Sequence, residues 1–185
     1  VTGQVRAYTT GDSAAAACSN EIPQNLPYAS VTGAGATVYT DSDGYFSHPH
    51  DGGSASFGGT IDGMYFDINN EQGSEHSATA NGASGDDITI TYTPSPSEYI
   101  NAQENTYLEA NRIRDLVLQY SPSFPTIATQ TNFPCNVNIS STCYAYYDYS
   151  SINFYNEAGG CSNTAFSVVV HHELSLIHIS EPTRR

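Results

Sequence analysis

The residues with the clearest chemical potential are His172 and Glu173, which follow an apolar run at residues 168–170. Such a pair forms the first half of His-Glu-x-x-His, in which two histidines four residues apart share one helix face and hold Zn²⁺. We interpret His172 as the first metal ligand and Glu173 as the general base that takes a proton from the attacking water. His171 is turned about 100° away on a helix and is interpreted as a neighbour. The second histidine belongs at position 176, where the chain has Leu176.

The sequence changes in character directly after Glu173. Residues 174–185 resemble, position by position, a translated reading frame of the transposase adapter used to prepare DNA sequencing libraries. We therefore expect these residues to be an assembly artefact and exclude them from fold reasoning, the alternative being a genuine short tail of mixed polarity. Because the chain also begins at Val1 without an initiator methionine, we expect a fragment that is cut at both ends.

A helix must position the His-Glu pair. Ser162 or Asn163 can cap this helix, because a short polar side chain accepts hydrogen bonds from the first free amides. One apolar face then follows at helical spacing, formed by Ala165, Phe166, Val169 and Val170. The pattern predicts a buried helix that presents its last turn to a site.

Three short strands precede this helix. Residues 136–139, 144–148 and 151–155 alternate as strands do, and Gly159-Gly160 turns the chain into the helix. An extended peptide can add to the edge of such a sheet through main-chain hydrogen bonds. The arrangement predicts a substrate-binding strand beside the metal.

Residues 144–154, a glycine-containing turn and residues 169–173 together resemble the segment before the zinc helix in thermolysin-like and fungalysin-like (gluzincin) zinc metallopeptidases. The resemblance implies a Zn cofactor, a peptide or protein substrate, and substrate contacts at Ala145, Tyr146 and Tyr144. Ala145 would act through its backbone. Tyr144 stands where the family has a substrate-holding Asn, and Tyr149 where it has Gly, which puts the Asn contact in doubt.

The first half of the chain has a different pattern. Short strands separated by Gly, Asp and Ser turns predict a β-sandwich over residues 1–93, and residues 69–86 are predicted to be a loop. Residues 27–31 and 40–46 resemble transthyretin-like, carboxypeptidase-regulatory-like modules; a propeptide is the other interpretation. His48, His50 and His76 are interpreted as solvated, and residues 41–44 as a hairpin turn rather than a calcium loop.

A proline-rich boundary at residues 94–96 precedes a predicted amphipathic helix over residues 97–120, with Arg112, Arg114 and Asp115 on its solvated face. The predicted fold is therefore α+β: an N-terminal antiparallel β-sandwich, followed by the start of a zincin-type catalytic domain with a long helix, a β-hairpin and an active-site helix. The predicted domains are residues 1–93 and 94–173, with the artefact tail at 174–185.

Composition limits the function further. Five cationic and nineteen acidic residues give a formal net charge of −14, and no lysine is present. This charge disfavours nucleic-acid binding, and no apolar run is long enough to span a membrane. The spacing of Cys135, Cys143 and Cys161 fits no zinc site, so one disulfide is expected among these three, with Cys18 paired to the third or free. Disulfides indicate an exported protein.

We therefore predict a secreted, monomeric fragment of a zinc-dependent endopeptidase, itself inactive because the second and third zinc ligands are missing. The alternative is a non-catalytic extracellular protein that binds carbohydrate or other surfaces through its tyrosines. Exposure of most of Tyr144, Tyr146, Tyr147, Tyr149 and Tyr155 on one face would favour that alternative.

Overall fold

The computed structural model describes residues 1–12, 21–94 and 97–180, with side chains up to residue 177. This part of the chain is a mixed α+β structure with two helices. Its strands are β1 (Thr2–Thr9), β2 (Ile22–Asn25), β3 (Ser30–Gly33), β4 (Ala36–Tyr39), β5 (Tyr45–Ser47), β6 (Ala55–Thr60), β7 (Phe66–Asn70), β8 (Ser77–Gly82), β9 (Asp87–Thr91), β10 (Phe133–Ile139), β11 (Ala145–Tyr147) and β12 (Ile152–Tyr155). Its helices are α1 (Glu98–Tyr120) and α2 (Ser167–Ser180).

The first sheet is built around β1. In β1 every second residue is buried, which places Val5 and Ala7 in the core. β2 and β5 flank β1 in antiparallel orientation, whereas β9 pairs with β1 in parallel and sets Ile90 beside Val5. The predicted antiparallel arrangement of the N-terminal β-sandwich is wrong for this sheet, because β9 makes it a mixed sheet.

The second sheet is antiparallel, in the order β4-β3-β6-β8. β8 lies inside residues 69–86, which the sequence predicted to be a loop, so that prediction is wrong. The strand has few large apolar residues, and its pairing with β6 specifies it instead. Gly58 of β6, at φ 138°, permits the close approach, because a Cβ there would collide with the carbonyl oxygen of Ala78.

The third sheet, ordered β11-β12-β10-β7, carries the elements that lead to α2. β10 runs parallel to both β7 and β12, and β11 pairs with β12 as an antiparallel hairpin at the edge. β7 comes from the first predicted domain and β10 from the second, and the two halves share one core cluster. The division at residues 93 and 94 stays a prediction.

The long helix α1 packs against β1, β7, β10 and α2. It begins after Ser97 and ends before Pro122, as the sequence predicted. Its burial is not amphipathic, because residues 101–111 are all buried, including Gln103, Glu104 and Asn105. Polar side chains of this helix therefore form hydrogen bonds inside the protein.

Three polar residues that the sequence analysis placed in solvent are buried or half-buried. Arg114 is 7% exposed, and its guanidinium carbon lies 3.3 Å from the ring centre of Tyr65. His48 is buried, with Nε2 3.2 Å from the carbonyl oxygen of Ala36. His76 lies 3.1 Å from the buried Glu104. In each case a contact with a residue distant in sequence explains why the side chain is not solvated.

Candidate active site

The edge strand β11 forms one wall of the site. The amide of Tyr155 bonds to the Tyr144 carbonyl, and the amide of Asp148 bonds to the Ser151 carbonyl. Hydrogen-bonding direction alternates along an antiparallel strand, so the backbone groups of Tyr144, Tyr146 and Asp148 face β12. Those of Ala145 therefore face the outer edge. This is the orientation that main-chain binding of an extended peptide requires.

The helix α2 forms the opposite wall. It begins at Ser167, later than the sequence predicted, and the predicted caps Ser162 and Asn163 lie outside it. Asn163 instead accepts a hydrogen bond from the amide of Ala165 at 3.0 Å and donates one to Asn138 at 2.8 Å. These bonds hold the approach to the helix against β10.

The helix does not break after Glu173. Leu174 and Ile177 are each 1% exposed, so both positions belong to the core. Leu176, one turn beyond His172, faces the same cavity as that histidine. Any helical continuation of this chain therefore places position 176 beside position 172.

A cavity of about 410 Å³ lies between β11 and α2. It collects most of the residues that the sequence analysis singled out. The residues that line the cavity include Tyr144, Ala145, Tyr146, His172, Glu173 and Leu176. Tyr147 also lines it and was missed as a site residue, although its position two residues after Ala145 puts it on the same side of the strand.

Glu173 is 5% exposed and bonds to β11. Burial raises the pKa of its carboxyl group, while the nearby His172 and a hydrogen bond from the Tyr147 amide partly oppose that shift. Its Oε2 atom is buried and has no hydrogen-bond partner among the described residues. A buried carboxylate with one unsatisfied oxygen is suited to accept a proton.

The two adjacent histidines have different surroundings. His172 is exposed at the cavity, so it is not a core histidine. His171 lies 2.9 Å from Oε2 of Glu109 on α1, and Arg112 lies 2.6 Å from the other carboxylate oxygen. Burial raises the pKa of Glu109, but these hydrogen bonds outweigh it and leave that pKa lowered. His171 therefore joins the two helices, and His172 is available to a ligand.

The described residues do not fit a zinc site of three protein ligands. Within residues 1–12, 21–94 and 97–177, no three His, Cys, Asp or Glu side chains are grouped closely enough to hold a metal ion. His172 and Glu173 are the ionisable pair that α2 supplies to the cavity. Metal chemistry would need further ligands in addition to these residues.

Five tyrosines lie on and around β11 and β12. The rings of Tyr144 and Tyr146 stack with centres 6.0 Å apart, and Tyr155 meets both rings edge-on. Tyr144 is 59% exposed and Tyr149 76% exposed, whereas Tyr146, Tyr147 and Tyr155 are half-buried. The adhesion or carbohydrate-binding alternative called for exposure of most of the five tyrosines, and only two of them are exposed.

The cysteines divide between this site and the core. Cys143 and Cys161 form a disulfide, which confirms the prediction of one bond among the three. It ties the start of β11 to the turn before α2. Cys135 is a buried free thiol in the centre of β10, so its disulfide candidacy is wrong, and burial raises the pKa of that thiol. Cys18 lies outside the described residues.

No described helix is long and apolar enough to cross a membrane. No protein-family pattern matches the chain, and no curated protein matches it.

Proposed function

We propose that this chain is a fragment of a secreted zinc-dependent endopeptidase and that it is inactive on its own. One observation carries the proposal: a single cavity contains His172, Glu173, position 176 and the outer edge of β11. A peptidase needs a base, a ligand pair on one helix face and a strand for the substrate. The chain supplies the base, one ligand and the strand.

Glu173 takes the role of general base in this proposal. Its burial favours the protonated acid over the carboxylate, so its basicity exceeds that of an exposed glutamate. The hydrogen bond from the Tyr147 amide fixes one carboxylate oxygen, which leaves Oε2 for proton transfer. The same bond couples the base to the strand that would hold the substrate.

Substrate binding belongs to β11. A peptide aligned with Ala145 would extend the sheet by one strand, and Tyr144 and Tyr146 would flank its side chains. The disulfide between Cys143 and Cys161 holds the start of this strand. Secretion follows in this proposal from that disulfide, because such bonds persist in oxidising compartments.

The substitution Leu176→His, one helical turn after His172, gives the direct test. We expect the variant to bind Zn²⁺ at least about ten-fold more tightly than the unmodified chain, since two imidazoles then share one helix face. Isothermal titration calorimetry with Zn²⁺ measures the difference. Neither protein should hydrolyse casein, because the third ligand is still missing.

The controls use the two histidines. Adding His172→Ala to Leu176→His should abolish the gain in zinc affinity, and adding His171→Ala should preserve it, because His171 faces Glu109. Equal zinc affinity with and without His172 would contradict the assignment of His172 as a ligand. Casein hydrolysis by the unmodified chain would contradict the claim that it is inactive.

A further inference from the structure

A second cavity, of about 500 Å³, lies between α1, β2 and the turn before β5. It contains none of the residues of the candidate active site. Its volume falls within the range of about 300–1,000 Å³ that is usual for small-molecule sites. Two of the three arginines that the structure describes, Arg6 and Arg112, line it.

Arg6 has no counter-ion among the residues that the structure describes. No ion pair or hydrogen bond of its guanidinium exists within the described ranges, and its Nε atom is fully buried. Arg112, by contrast, is held by Glu109 at 2.6 Å and Gln24 at 2.8 Å. A half-buried guanidinium without a partner carries a desolvation cost that a bound carboxylate would offset.

The opposite charge is available in the same cavity. Asp43 is exposed there, and its carboxylate has no partner in the part of the chain that the structure describes. The carboxylate of Asp115 accepts from Tyr28 at 3.0 Å and Arg114 at 3.2 Å. Arg6 and Asp43 do not pair with each other, so their charged atoms lie more than 4.0 Å apart. Both side chains line the same cavity, so one ligand with two opposite charges could meet both.

The remaining walls are partly apolar. Pro23, Pro27 and Leu108 line the cavity, and Leu108 is 2% exposed. A simple anion is disfavoured, because Asp43 and Asp115 lie in the cavity and the chain has a net charge of −14. A ligand with a carboxylate, an ammonium group and an aliphatic side chain matches all three kinds of wall.

We propose that this cavity binds a free aliphatic amino acid as its zwitterion. Arg6 binds the carboxylate, and Asp43 binds the ammonium group. The two prolines and Leu108 pack against the aliphatic side chain. The site is separate from the proposed peptidase centre, so either proposal can fail without the other.

Isothermal titration calorimetry on the full chain, at low ionic strength and neutral pH, tests the proposal with three probes. These are L-leucine, leucinamide, which lacks the carboxylate, and 4-methylpentanoate, which lacks the ammonium group. We expect saturable binding of leucine and at least about ten-fold weaker binding of each analogue, because each loses a charge-assisted hydrogen bond.

Two variants assign the contacts. Arg6→Gln should weaken leucine at least about ten-fold and leave leucinamide unchanged, and Asp43→Asn should weaken leucine and leave 4-methylpentanoate unchanged. Asp51→Asn removes an exposed acidic group outside the cavity and is the matched charge control. Circular dichroism shows whether each variant is folded. If a variant does not fold, the affinities of the unmodified chain for the three probes test the proposal.

Three results would overturn the proposal. The first is no saturable binding of leucine by the folded chain. The second is equal affinity for leucine and 4-methylpentanoate, which would indicate a simple anion site. The third is unchanged leucine binding by a folded Arg6→Gln variant.

Discussion

The buried Glu104 on α1 makes stability depend on pH in a defined direction. Burial, with a smaller effect from the Glu21 charge, raises the pKa of Glu104 to about 9, against a partly compensating hydrogen bond from the Tyr8 backbone. Burial also lowers the pKa of His76, whose Nδ1 lies 3.1 Å from Glu104. Both shifts favour two neutral groups in a hydrogen bond over an ion pair.

The sign of the effect follows from proton counting. Above the ordinary glutamate pKa the unfolded chain has ionised Glu104, whereas the folded chain keeps its proton up to about pH 9. Unfolding then releases one proton, so Glu104 lowers the free energy of unfolding by about 1.4 kcal/mol for each pH unit. This contribution is fully present below the unfolded pKa and is lost as pH rises through the folded one.

The isosteric change Glu104→Gln isolates this contribution, since glutamine resembles the neutral acid and does not titrate. Between about pH 7 and about pH 8.5 we expect the unmodified chain to lose roughly 2 kcal/mol of stability relative to the variant. The Cys135 thiol begins to ionise in this window only in the unfolded chain, because burial raises its pKa in the folded protein, and its contribution is equal in both proteins and cancels in the difference. His76 is neutral throughout the window, because its pKa is lowered.

Urea denaturation with the disulfide intact, followed by circular dichroism at each pH, measures the difference. Glu71→Gln, at an exposed position, is the matched control and should keep the pH dependence of the unmodified chain. Parallel stability curves for Glu104→Gln and the unmodified chain across this window would refute the reasoning. They would mean that Glu104 is already ionised in the folded protein.

Three further outcomes are expected. His171→Ala should lower the free energy of unfolding by about 1 kcal/mol through loss of its hydrogen bond to a buried carboxylate, and His172→Ala should change it by less than about 0.5 kcal/mol, both measured by urea denaturation; equal losses would contradict this. Replacing Cys143 and Cys161 by serine should cost about 3 kcal/mol, since the bond closes a loop with a sequence separation of 18, and an unchanged melting temperature would argue against it. Cys135 should resist iodoacetamide in the folded protein and react in urea, as read by peptide mass spectrometry, and rapid labelling of the native chain would contradict its burial.

Local patterns predicted several elements well. β5 occupies residues Tyr45–Ser47, where an aromatic strand follows an Asp-Gly turn, and α1 begins after Ser97 beyond a proline-rich boundary. The β11–β12 hairpin also follows from alternation and turn residues. In each case neighbours in sequence supply the deciding interactions.

The errors occur where distant partners decide the structure. β8 is a polar strand that exists through its pairing with β6, which residues 69–86 do not reveal. Arg114 follows the periodicity of a solvated face, yet the ring of Tyr65 covers it. The cavity beside β11 depends on the packing of α2 against that strand, and the bond between Glu173 and Tyr147 that this packing creates has no signal in the sequence.

We propose above all that Glu173 belongs to an interrupted His-Glu-x-x-His sequence in a longer peptidase. Sequencing the source DNA across the codon for Glu173 tests it most directly. We expect the natural reading frame to depart from residues 174–185 and to encode histidine three residues after Glu173, at position 176. Uninterrupted natural coding of residues 174–185, with leucine at that position, would contradict it.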